Sequence, residues 1–317
     1  MHILQNKTTY HALHIYKLSY LCSRNKAIRQ TKDMNKRIHF TKMHGAGNDY
    51  IYVYTPQYPI PNPAEASIQW SKPHFGIGSD GLILIGESPV AEADFSMRIF
   101  NNDGSEALMC GNGVRCVAKF VYDHRLTDKT TIAIDTLSGI KVIRLHLDAD
   151  GSVGSATVDM GKPILANKQL LDTPDGSMTS GTVDGHTGTF VSMGNPHFVC
   201  FVPDATSIDV ATEGTRLEHN PIFPERCNIE FVSVKPDGTL RMRVWERGSG
   251  ITLACGTGAC ATAVAACLTG RSGRTSRVEM DGGILEIHWD EDNDHILMTG
   301  PAATSFEGEV LLPTGNQ

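Results

Sequence analysis

The sequence predicts an α+β protein of two pseudo-symmetric domains, each a mixed or antiparallel sheet wrapped around a central helix. Three observations lead there. A Cys-Gly-x-Gly turn occurs twice, in "LMCGNGVRC" (108–116) and "LACGTGAC" (253–260), with its cysteines 145 positions apart. The likeness runs upstream, since "MRIFNNDGSEALMCGNG" (97–113) lies over "MRVWERGSGITLACGTG" (242–258) without a gap. A second pair, "GNDYIYV" (47–53) and "GNPHFVC" (194–200), repeats Gly-Asn before a strand-like run at an offset of 147. Two blocks at nearly one offset point to a duplication.

Taken in order, residues 1–33 stand apart. They hold one acidic residue against several Lys and Arg and show no clear helical or strand period. They lack the compact apolar stretch and small-residue cleavage site of a secretory leader. They read as an extension upstream of a start at Met34, disordered or not native, although an acid-poor basic segment also suits organellar targeting. Strand patterns follow at "LILI" (82–85), "TIAI" (131–134), "KVIRLHL" (141–147), "ATVDM" (156–160), "IEFVSV" (229–234), "VEM" (278–280) and "ILEIHW" (284–289). Turn residues punctuate them, as in "DADG", "PDG" and "DGG". Each Cys-Gly-x-Gly leads into a helix: "GVRCVAKFVYDHRL" is amphipathic, and "GACATAVAACLTG" is almost wholly apolar and so buried. The expected domains are 34–154 with a returning 301–317, and 155–300, joined near Gly151–Gly154.

Composition removes some functions. A net charge of −7 argues against nucleic acid or an anionic membrane as the main partner. There is no run of about 18 apolar residues that would make a membrane helix. Eight cysteines in 317 residues, with no secretory leader, do not suggest a disulfide framework and fit a reducing cytoplasm. No C-x-x-C occurs, which weakens redox and zinc-ribbon readings. No metal site is expected. "GIGSDG" (76–81) formally matches a dinucleotide fingerprint, but it precedes a strand instead of opening a helix.

The doubled turn has a chemistry of its own. A cysteine before Gly-x-Gly at a helix start meets unpaired N–H groups and the positive dipole end, which lower a thiol pKa. The glycines let backbone N–H groups approach a carboxylate. Taken alone, such a cysteine is commonly an inert packing residue. Two equivalent ones facing across a cleft could remove a proton from one side of a carbon and return one to the other.

The motifs "MHGAGNDY", "FNNDGSE", "CGNGVRC", "SMGNPHF", "FPERCNIEF" and "VWERGSG…ACGTGAC" together resemble the diaminopimelate epimerase family of pyridoxal-phosphate-independent amino-acid epimerases. The resemblance runs from about Arg37 to Leu312. It implies two similar domains that each supply a catalytic cysteine, a diaminopimelate substrate, and no cofactor. Cys110 corresponds to the proton donor and Cys255 to the acceptor for one direction, with roles exchanged in reverse. Asn48, Asn101, Asn195 and Asn228 match residues binding substrate amino and carboxylate groups, and Glu246 and Arg247 the ligand-binding pair of "ERG". Gly111, Asn112, Gly256 and Thr257 match backbone donors to the carboxylate beside the reacting carbon. His197 and Glu246 match positions that tune the thiols. The family also makes a homodimer a reasonable partner expectation, with no interface legible here.

The side-chain chemistry agrees independently. Asn both donates and accepts, which suits a zwitterion, and Arg247 offers a bidentate fork to a distal carboxylate. Each residue has a plainer role as well. Asn48, Asn101 and Asn195 adjoin Gly, Asn or Pro and could simply make turns. His197 could be a satisfied strand histidine, and Glu246–Arg247 a solvated pair. Cys116, Cys200, Cys227, Cys260 and Cys267 read as packing residues. Some family members carry glutamine where this chain has Gly81, so that side-chain contact is missing here. Alternatives are a proline or hydroxyproline racemase, a Cys-His hydrolase using Cys255 with His197, and a non-catalytic binding module.

Overall fold

Short apolar runs broken by glycine turns build a sheet-rich chain, described by a computed structural model over residues 37–313. The extension at 1–33 and the start at Met34 lie outside the described residues. The first half contains β1 (Arg37–Gly45), β2 (Asn48–Tyr54), β3 (Gly81–Glu87), β4 (Phe95–Asn101), β5 (Glu106–Ala107), β6 (Thr131–Asp135), β7 (Lys141–Leu147) and β8 (Val153–Asp159). The second contains β9 (Gly181–Val183), β10 (His186–Ser192), β11 (Pro196–Phe201), β12 (Asn228–Val234), β13 (Leu240–Glu246), β14 (Gly250–Ile251), β15 (Thr275–Met280), β16 (Gly283–Trp289) and β17 (Ile296–Pro301). A last strand, β18 (Ala303–Leu311), returns to pair with β1. The helices are α1 (Pro63–Trp70), α2 (Gly111–Asp123), α3 (Val210–Glu218) and α4 (Gly256–Leu268).

Strand pairing repeats step for step. β1 to β4, then β6, β7 and β8, run side by side, with β2–β3 and β4–β6 parallel and the rest antiparallel. β10 to β13, then β15, β16 and β17, do the same, with β11–β12 and β13–β15 parallel. A parallel step needs a crossover. α2 and α4 lie in the second crossover of each half, and α1 and α3 in the first. Sequence reading missed α1 and α3, which are only 8 and 9 residues long. The counterparts β8 and β17 pair with each other and join the halves, with Thr157 and Thr299 hydroxyl oxygens 2.6 Å apart. The boundary expected at Gly154 falls inside β8, which bonds to both β7 and β17.

Each sheet wraps its central helix. α4 is rich in Ala, so strands approach closely, and it is buried from Gly258 to Ala266. α2 has the amphipathic pattern that its sequence predicts, but its polar face is covered as well, since it is buried continuously from Gly111 to Val121, Arg115 and Lys119 included. Those charges are accommodated by bonds instead of solvent: Lys119 donates to Val153 O at 3.2 Å and pairs with Asp123 at 2.8 Å. Burial of Val114, Val117 and Val121, all at 0% exposure, contributes about 1.5–3 kcal/mol each to holding α2 in place.

Candidate active site

Both cysteines of the doubled turn are helix N-caps. Cys110 has extended backbone and its Sγ accepts the Gly113 N–H at 3.3 Å; Cys255 caps α4 in the same way through Gly258 N–H at 3.3 Å. A sulfur cap needs the third residue to be small. A Cβ at Gly258 would stand 2.7 Å from Glu230 Oε1 and 3.2 Å from Cys255 Sγ, and one at Gly113 would stand 2.7 Å from Ile83 Cδ1. The two helix starts are neighbours. The Cβ position of Gly256 lies 3.9 Å from Asn112 Oδ1, and Met298 touches the Cβ positions of both Gly111 and Gly256.

Beside them a cleft of about 590 Å³ is lined by Asn48, Tyr50, Asp80 and Asn101 of the first half and Glu246, Ser249 and Thr252 of the second. Cys110 Sγ donates to Asn48 Oδ1 at 3.2 Å, and Asn48 Nδ2 donates to Asp80 at 2.7 Å. Asn101 Nδ2 donates to Ser105 Oγ at 3.0 Å. In the second half Cys255 Sγ lies 3.5 Å from the Thr257 hydroxyl, to which Asn195 Nδ2 donates at 3.3 Å. Asn195 Oδ1 meets His197 Nε2 at 3.0 Å, and His197 Nδ1 meets Glu230 at 2.6 Å, with the imidazole ring and the carboxylate both fully buried. His197 therefore contacts Asn195 and Glu230, and no hydrogen bond joins it to either sulfur among the described residues. Asn228 is tied on both sides, donating to Pro196 O at 2.7 Å and accepting the Arg247 N–H at 2.9 Å. The Arg247 guanidinium donates to Glu225 O at 2.8 Å, and Glu246 accepts from the Thr252 hydroxyl.

Electrostatics reverse one expectation. Burial pushes the Cys110 thiol above its ordinary range; the Gly113 and Asn112 N–H groups and the Arg115 cation pull it back, and Glu246 adds to the rise. Burial, followed by the Glu246 and Glu230 charges, pushes Cys255 well above that range against Thr257 and Gly258. The helix-start effect that sequence suggests is present, and desolvation outweighs it. Burial likewise raises Glu246, against hydrogen bonds from Thr252 and Cys255.

The sequence profile described as diaminopimelate epimerase matches residues 40–166 and 189–305. A diaminopimelate epimerase of Phocaeicola vulgatus is 57% identical over 283 residues, covering 88% of this chain and 100% of the relative. One of Bacteroides thetaiotaomicron is 57% identical over 277 residues, covering 87% and 99%. The chain belongs to the diaminopimelate epimerase family. Its members are isomerases, and this chain carries their motifs throughout. Solved structures extend the fold further. A hydroxyproline epimerase of Agrobacterium vitis has a TM-score of 0.64 at 15% identity, covering 89% of this chain and 94% of that one. A PhzF-family phenazine biosynthesis protein of Bacillus anthracis has a TM-score of 0.64 at 16% identity, covering 87% and 99%. At such identities these neighbours speak for the fold alone.

Sequence reasoning missed Tyr50, Asp80, Arg115 and Glu230. The 147 offset already lays Tyr50 over His197, and strand register agrees, since Tyr50 pairs with Gly81 as His197 pairs with Asn228. Glu230 is a lone acid in the apolar run "IEFVSV", and Arg115 is one of two cations, with Lys119, among the buried α2 residues; both are legible as anomalies. Gly81 has a local reason to be glycine, because a Cβ there would stand 2.2 Å from Phe100 O and 3.0 Å from the Tyr50 ring. Among the described residues no helix is long and apolar enough to cross a membrane.

Proposed function

We propose that the protein converts LL-2,6-diaminopimelate to the meso isomer in lysine biosynthesis by a two-base mechanism without a cofactor. Cys255 as thiolate takes the Cα proton, and Cys110 as thiol gives its proton to the opposite face. Each sulfur ends in the other's starting state, and the return reaction restores both. The observation that carries this reading is the pair of thiols at equivalent helix N-caps whose first turns adjoin. A non-catalytic module has no need of two such sulfurs.

The remaining assignments follow from chemistry. Gly111, Asn112, Gly256 and Thr257 offer first-turn N–H groups to the α-carboxylate, where negative charge builds as the proton leaves. Asn48, Asn101, Asn195 and Asn228 orient the substrate's amino and carboxylate groups, and Glu246 with Arg247 holds the distal end. Glu246 also bears on both thiols through its charge. His197 acts on Cys255 through Asn195 and Thr257. The same reading carries a cytoplasmic location and a homodimer, which cell fractionation and sedimentation would test.

The deciding experiment is deuterium uptake at Cα in D2O, offering LL-diaminopimelate, proline and trans-4-hydroxyproline separately to wild type, Cys110→Ala and Cys255→Ala. Inversion of diaminopimelate alone, lost in both variants, is the expected result. Inversion surviving in either variant would rule out two thiol bases, and exchange with a proline substrate would change the substrate.

A further inference from the structure

The two halves hold their equivalent asparagines in opposite senses. Asp80 Oδ2 accepts from both Asn48 Nδ2, at 2.7 Å, and the Asp49 backbone N–H, at 3.1 Å. A carboxylate oxygen accepts, so the amino end of Asn48 is fixed on Asp80 and its carbonyl oxygen turns to Cys110 at 3.2 Å. An amide oxygen also only accepts, so that contact needs a proton on sulfur. In the second half Asn195 turns its oxygen to His197 and its amino group to Thr257 Oγ1. That leaves the Thr257 hydroxyl hydrogen free for Cys255 Sγ, 3.5 Å away. Through its asparagine Cys255 thus meets a donor where Cys110 meets an acceptor; each sulfur also has the N–H donor of its own cap, and Cys255 also faces the Glu246 carboxylate.

We propose that Asp80 is a positioning residue: by fixing the Asn48 amide it keeps a proton acceptor on Cys110 and holds that sulfur as the thiol of the pair. The proposal rests on the two-thiol reading above. The charged and titratable groups facing Cys110 are Arg115 and Cys116 from α2, Tyr50 and Tyr52 from β2, and Glu246 from β13. Of these Arg115 favours thiolate, while Glu246 and burial favour thiol. The fixed carbonyl of Asn48 adds to the second side, and without its anchor the amide can rotate and donate instead.

The test is the rate of Cys110 alkylation by iodoacetamide, read by peptide mass on the full chain between about pH 6 and 10. Wild type, Asp80→Ala, Asn48→Ala and the double variant form a cycle. Asp80→Ala is expected to speed alkylation near neutral pH roughly tenfold, one hydrogen bond exchanged from acceptor to donor. In the Asn48→Ala background the same change is expected to do nothing, because Asp80 acts through Asn48. An equal rise in both backgrounds would mean that Asp80 acts by charge alone and would overturn the proposal, as would no rise in either. Should Asp80→Ala fail to fold, Asp80→Ser carries the same comparison. Failure of the two-thiol reading would appear separately, as inversion surviving in Cys110→Ala.

Discussion

Replacing Arg115 with Met tests packing and chemistry together. Arg115 heads the fully buried side chains, and no Asp or Glu pairs with it among the described residues. Its guanidinium instead donates to Gly111 O at 3.2 Å, Asn112 Oδ1 at 2.8 Å and Pro301 O at 3.3 Å. Gly45 and Gly300 make room, since a Cβ at either would stand 3.0 or 3.1 Å from it. Met occupies similar volume and removes three hydrogen bonds donated by a cation, of which those to Gly111 O and Asn112 Oδ1 are buried, at about 1–3 kcal/mol each. Relief from burying an unpaired cation offsets part of that, so we expect a net loss of about 2–4 kcal/mol. At the site the cation that pulls the Cys110 thiol down disappears. The thiol then rises further, kcat/KM falls at neutral pH, and activity recovers as pH increases. Urea unfolding and kcat/KM from about pH 6.5 to 10 measure both effects on one preparation. Arg115→Lys keeps the charge and loses the planar fork, so its pH profile is expected to stay near wild type while its stability drops. Stability within about 0.5 kcal/mol of wild type, with superimposable profiles, would refute the reasoning.

Gly258→Ala places a methyl group 2.7 Å from Glu230 Oε1 and 3.2 Å from Cys255 Sγ. Steady-state kinetics are expected to show kcat down roughly 100-fold with the fold retained by circular dichroism, because about 1 Å of displacement costs that much; unchanged kcat would mean the strand yields freely. Burial raises Cys116 from an ordinary 9.0 to about 11 and Cys260 to about 12. The folded chain keeps these protons after the unfolded chain loses them, so stability is full below about pH 9 and falls above it, by about 1.4 kcal/mol per pH unit for each thiol. Urea midpoints at rising pH check this, and a flat response would contradict it. Because burial raises both Cys110 and Cys255, kcat/KM of the wild type is expected to climb with pH beyond neutrality; a profile already flat there would mean that a base of ordinary carboxylate or imidazole range does the work.

The duplication was legible because its strongest signals are local: Cys-Gly-x-Gly is both a turn and a helix start, and the strand runs before it are β-branched and apolar. The helices α1 and α3 were not legible by periodicity, being too short for an apolar face to repeat. Their capping residues were on view, with Asn62 before Pro63 and Asp209 before Val210, each accepting from a first-turn N–H. The thiol pKa direction was missed for a different reason. Helix position can be read from a motif, whereas burial and neighbouring charge depend on how the folded chain packs, here the desolvation of Cys255 first and then the Glu246 and Glu230 charges. Asp80 was invisible for the same reason, since its role depends on lying within reach of Asn48, 32 positions earlier.

A duplicated chain serving a reaction with near mirror symmetry should keep what the reacting centre needs and diverge where the substrate is unequal. Laid over one another, the halves match Cys110 with Cys255 and Asn48 with Asn195, the pair of sulfurs and the amides beside them. They differ at Asn101 against Glu246, Asn102 against Arg247, Tyr50 against His197 and Arg115 against Cys260. Charge has collected on opposite sides of the joint, with a buried cation under Cys110 and buried anions under Cys255. Burial raises both sulfurs, and that imbalance of charge breaks the tie between them in one direction. The opposed asparagine anchors break it in the other. On the proposed mechanism the two must nearly cancel, because an enzyme that runs both ways needs each sulfur to hold the proton in turn. A variant that removes only one of the two influences, Arg115→Met or Asp80→Ala, should therefore shift the forward and reverse kcat values unequally in their pH dependence, with the KM values moving in step, because the equilibrium between the isomers fixes the ratio of the two kcat/KM values.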